Sequence, residues 1–167
     1  MVSIMIDKEK FSQVVLYILN KINGSQLGSV KLNKILWFAD VKMVELGKEQ
    51  ITGDTYIRKD YGPVSKHLNY ILRTLASERS IKIERENPDS MWLYTPLKDA
   101  DINAIKEDEK SIIDKYIEDF RCMAPSDISN MTHTPYWQNL NDNDKMFVEI
   151  AAIERMKNNN IDNINWE

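Results

Sequence analysis

Cysteine is nearly absent: Cys122 stands alone in 167 residues, which excludes an internal disulfide framework and a cysteine-based metal site. No histidine lies beside it in sequence, so it reads as a small buried hydrophobe. Histidine is almost as scarce. His67 and His133 lie far apart, and neither stands in a set of residues spaced for metal binding or for general acid–base work. The five glycines are isolated rather than gathered into a phosphate-cradling loop. The sequence therefore implies no metal, no cofactor and no enzyme activity. No apolar run approaches the roughly 18 residues of a membrane span, and the first residues lack a leader's order of charged, apolar and small segments. The expectation is a cytoplasmic protein with no membrane partner.

What is present is ordinary for a soluble domain, with 43% hydrophobic and 29% charged residues. The length suits one domain with its own core. The formal charge of −4 is uneven. Residues 1–80 hold 12 Lys and Arg against 8 Asp and Glu, net +4, and residues 81–167 hold 10 against 18, net −8. A chain this acidic is a poor non-specific nucleic-acid binder. Its first half still leaves room for a local basic face, and its second could steer a basic partner.

The most informative stretch is Lys31 to Ile71. Leu32, Ile35, Leu36, Ala39, Met43 and Leu46 recur at helical spacing, and Gly47 is the natural stop. Thr52-Gly53-Asp54 is turn chemistry before a strand at Thr55–Arg58. Pro63, which cannot donate to a ladder, is expected to end that strand at a Tyr61-Gly62-Pro63 corner. Ser65 is then the expected cap of a second helix. Trp37 and Phe38 read as core. Asp40 is either exposed beside a groove or paired when buried. Lys31 and Lys34, on the unfavourable end of the helix dipole, read as exposed lysines, with partner contact as the alternative.

Several pieces of this stretch carry a resemblance. Lys31-Leu32-Asn33-Lys34, Trp37-Phe38-Ala39-Asp40, Ile51-Thr52-Gly53-Asp54-Thr55-Tyr56 and Tyr61-Gly62-Pro63-Val64, in this order, resemble the Panacea domain family. These are the SocA-like and phage-protein-like domains of antitoxins in toxin–antitoxin pairs. A weaker match is His133 followed by Trp137. The resemblance implies a cognate toxin protein as partner, neutralised by direct contact or delivered by an adaptor to a protease such as a Clp-type complex.

Around this stretch the pattern predicts a first helix from Asp7 to about Ile22 and a central helix capped by Ser29. A hairpin of Ile81–Arg85 with Met91–Thr95 follows. Further helices are expected near 104–121, 127–133 and 145–156. Lys106 to Lys110 reads as a solvated face. The expected fold is α+β, a mostly helical single domain over residues 1–156. Its small antiparallel sheet joins the Thr55–Arg58 strand to the 81–95 hairpin, and residues 157–167 form a frayed tail. The helix from Ser65 followed by the hairpin has a winged-helix-like outline.

Two interaction surfaces follow. The corner, presenting Tyr61 between Lys59, Asp60 and Lys66 and stiffened by Gly62 and Pro63, is the expected toxin contact, with Trp37 and Asp40 lining an adjoining groove. The alternative for Tyr61 is inward packing. The second surface would make the protein a DNA-binding regulator, with Asn69 and Arg73 reading bases and Arg85 reaching a phosphate.

Overall fold

The computed structural model describes residues 6–22 and 27–162. The architecture is α+β and mostly helical, as expected from the sequence. Helix α1 (Lys8–Lys21) starts at Asp7, whose carboxylate accepts from Lys10 N. Helix α2 (Ser29–Glu45) is the axis of the molecule. It packs on α4 (Glu107–Phe120), α5 (Pro125–Met131), α7 (Val148–Asp162) and strand β2 (Gly62–Ser65). Leu32, Ile35, Leu36, Trp37, Phe38 and Val41 are all buried. Phe38 stacks with Tyr116 and meets Phe120 edge-on, joining α2 to α4. Helix α2 ends where expected. Gly47 takes φ +74° and Lys48 N donates to Met43 O, a left-handed cap that glycine adopts without strain.

The sheet differs from the expectation. Strand β1 (Tyr56–Lys59) does not pair with the downstream hairpin. It lies between β2 and β5 (Lys145–Met146), in the order β2-β1-β5. Strands β3 (Ile81–Glu84) and β4 (Leu93–Pro96) form a separate two-stranded sheet. Pro63 does not end the strand but stands inside β2, opposite Arg58. It is tolerated because β2 is an edge strand and Pro63 turns its nitrogen away from β1. Nor does Ser65 cap the next helix. Its hydroxyl is bound to Asp54, and α3 (Leu68–Ser77) begins after His67.

Other expectations shift in smaller ways. Gly28 rather than Ser29 holds the cap position of α2. The predicted 145–156 helix starts only at Val148, since Lys145 and Met146 pair with β1, and it runs on to Asp162. Cys122 is exposed, not buried. Glu109 is no solvated residue: it is 2% exposed and accepts from Lys10 Nζ at 2.7 Å and from Lys106 N. Helix α3 followed by the β3–β4 hairpin keeps the expected order of elements, but the hairpin forms a sheet of its own and does not pair with β1. The part of the expected tail beyond Asp162 falls outside the described residues. No helix among the described residues is long and apolar enough to cross a membrane.

Candidate functional site

The sequence pieces singled out above converge on one construction, the β1–β2 hairpin and what holds it. An edge strand leaves backbone groups unpaired unless something covers them. Here α2 does so. Pro63 O accepts from Lys34 Nζ at 2.9 Å, and Ser65 N donates to Asn33 Oδ1 at 2.9 Å. Asn33 is itself held by its Nδ2 donating to Ser29 O. Lys34, expected on the surface, is 1% exposed. Its stem lies so close to Gly62 that a Cβ there would stand 3.0 Å from Cε and would collide with Thr132 Oγ1. Gly62 also sits at φ +104°. Conformation and space both require glycine here.

Two carboxylates fix the segment entering β1. Asp40 is wholly buried, and its oxygens accept from Ile51 N, Thr52 N, Thr52 Oγ1 and Tyr56 OH at 2.6–3.1 Å. Burial pushes its carboxyl upward, and the four donors pull the other way. Tyr56 OH is pushed up in turn, by burial first and then by Asp40. Trp37 meets the Tyr56 ring edge-on at 5.0 Å. Asp54 accepts from Thr55 N, Ser65 Oγ, His67 N and His67 Nδ1, so it ties both ends of the hairpin to the start of α3.

The tip is clamped from the far side of the chain. His133 stacks on Trp137 at 3.9 Å, and the Arg58 guanidinium lies over the Trp137 ring at 3.9 Å. Trp137 Nε1 donates to Lys59 O, and His133 Nε2 donates to Asp60 O at 3.1 Å. Arg58 N donates to Asp144 O, and Asn143 N donates to Arg58 O. The sequence marked His133 and Trp137 without assigning them a role. Arg58 was read only as a strand residue, and the aromatic and cationic stack that holds this hairpin had no signal beyond that spacing.

The chain matches the family model described as antitoxin SocA-like, Panacea domain, over residues 32–138. It belongs to that family. No curated protein and no solved structure matches it. The Panacea match starts at Leu32 and ends one residue past Trp137. It thus spans nearly all of the side chains that build and clamp the hairpin.

The expected toxin-contact residues separate into groups. Tyr61 is 69% exposed at the tip, not packed inward, and Lys59 and Asp60 adjoin it. Gly62 and Pro63 are buried beneath it. Lys66 is exposed but lies beyond the other end of β2, about 16 Å along the strand, so it is no part of the Tyr61 rim. Asp40 and Trp37 do not line a groove beside Tyr61. Asp40 faces inward, and Trp37 lines a separate cleft with Phe38, Tyr136 and Arg155. Of the expected DNA-reading residues, Asn69 and Arg73 are exposed on α3 and share a cleft with Trp92 and Tyr94 of the β3–β4 sheet. Arg85 stacks on Trp92 at 4.2 Å and donates to Pro88 O.

Proposed function

We propose that this chain is the antitoxin of a toxin–antitoxin pair, that it acts by binding rather than by catalysis, and that it grips its toxin through the hairpin tip Lys59-Asp60-Tyr61. Family membership supports a toxin partner. The observation that carries the surface is Tyr61: a large, exposed aromatic on a turn whose flanking carbonyls, those of Lys59 and Asp60, are both held by side chains. A tyrosine presented on a rigid support loses little entropy on binding, which is why such residues recur as interface anchors. The cytoplasm is the compartment this reading assigns.

Binding could silence the toxin directly or present it to a Clp-type protease. Co-expression with the toxin-like product of the neighbouring reading frame tests both. Growth rescue with an unchanged toxin level indicates direct neutralisation, and rescue with toxin loss that depends on the protease indicates an adaptor. Absence of rescue refutes the reading. A second reading, DNA binding at the operon's own promoter, is favoured by the cleft where Asn69 and Arg73 face Trp92. A salt-sensitive gel shift that Arg73→Ala weakens would support it.

A further inference from the structure

Among the described residues Lys34 is a buried cation with no carboxylate bound to it. Its ammonium has three N–H donors, and the one acceptor in reach among the described residues is Pro63 O at 2.9 Å. Burial holds its pKa down at about 8, with no neighbouring charge contributing to the shift. An uncompensated charge in this position is costly, and a hydrophobic side chain of the same length would fill the space more cheaply. Lys34, though 1% exposed, stands in the wall of a cleft of about 350 Å³ between the start of α2 and the hairpin tip, with Ser29, Val30, Asn33, Tyr61 and Asn69 around it. The first turn of α2 faces the same cleft. Gly28 gives that turn no side-chain cap, and no acidic residue stands in it, so its positive end is uncompensated as well.

We infer that this cleft receives an aspartate or glutamate side chain of the bound partner, with Lys34 Nζ as its counter-ion beneath Tyr61. The proposal rests on the hairpin tip being the toxin-binding surface. The charged groups at the rim are Lys59, Asp60 and Asp142. Asp60 lies 3.5 Å from Arg58 Nη1, Lys59 is bound to Asn143, and Asp142 accepts from Asn143 Nδ2 at 3.3 Å, so among the described residues Lys34 is the cation at the floor with no carboxylate bound to it. From β2 and α5 its neighbours are Gly62, Pro63 and Thr132, all neutral. A carboxylate here would fill the spare donors of the ammonium in a setting where charge-assisted bonds are strong.

The experiment has two arms, both on the full chain. In the first, the Lys34 ammonium is followed by NMR with labelled lysine, its signal assigned by its loss in Lys34→Met. N-acetylaspartate amide, with one carboxylate, is the probe, and N-acetylasparagine amide and chloride are the controls. The acid should raise the Lys34 titration midpoint by about one pH unit or more, and the controls should not. An unmoved midpoint, or one moved equally by chloride, overturns the carboxylate site. In the second arm, the neighbouring toxin is bound to wild type and to Lys34→Met, with melting measured beside it. An affinity loss of about tenfold or more without loss of stability is expected. Equal affinity overturns the proposal and leaves the antitoxin reading intact. A toxin that binds neither protein refutes the antitoxin reading, and the first arm still decides whether Lys34 holds a carboxylate.

Discussion

Removing the Asp40 carboxylate should be among the most damaging single changes in the molecule. Asp40 accepts four hydrogen bonds at full burial: two from the Ile51 and Thr52 amides and two from the Thr52 and Tyr56 hydroxyls. In Asp40→Ala the two amides lose their acceptor in a dry interior, at about 1–3 kcal/mol each. The hydroxyls can rotate, but Tyr56 is also wholly buried, so one further orphan is expected. Against this, the cost of burying a carboxylate disappears. The net loss should be about 3–5 kcal/mol, and the melting point should fall by roughly 10 °C or more for a chain of this size. Asp40→Asn keeps one carbonyl for the amides and turns an NH2 toward hydroxyls that can accept, so it should lose about half as much. Chemical denaturation followed by circular dichroism reads both. A loss below about 1 kcal/mol in Asp40→Ala would refute the claim that this carboxylate holds the entry to β1.

Gly62→Ala forces a side chain into φ +104° and onto Thr132 Oγ1; a loss of about 2–4 kcal/mol is expected in the same assay, and near-neutrality would contradict the close approach. Arg79 holds the left-handed position after α3 at φ 57°, where Ser80 N donates to Leu75 O. Arg79→Gly should therefore stabilise by about 0.5–1 kcal/mol in thermal melts. Lys34 makes stability pH-dependent in an unusual direction. Its folded pKa, about 8, lies below the unfolded value of 10.5, so the unfolded chain binds more protons between them. Stability should rise from pH 8 toward pH 10, with about 3 kcal/mol available over the full window. Tyr17 and Tyr56, both pushed up in the fold, oppose this above pH 10. Lys34→Met should flatten the rise, and an unchanged slope in that variant would assign it to other groups.

The central helix, its glycine stop and the buried pair Trp37 and Phe38 were legible in the sequence, whereas Tyr61 could equally have packed inward. Each of the legible features depends on local periodicity or on the chemistry of one turn. The sheet was not. The partner of β1 on one side is a two-residue strand 86 positions or more downstream, too short for any pattern to mark. Proline argued for a strand end, because nothing local says that β2 would be an edge with its outer groups taken by α2. Lys34 was misplaced for a related reason. Helical spacing ranks residues by type, and a lysine in the first turns of a helix reads as solvated until the strand it binds is known. His133 and Trp137 were visible as a spacing, but their work on Arg58 and on the tip carbonyls depends on a contact across more than 70 residues.

The measurement that bears most directly on the account is the affinity of the neighbouring toxin for wild type and for Tyr61→Ala, taken with the melting curves of both. The hairpin-tip reading predicts a loss of about 2 kcal/mol or more in binding, roughly 30-fold, with melting unchanged, because Tyr61 is 69% exposed. Binding left intact by Tyr61→Ala would contradict it and move the toxin's contact to another face.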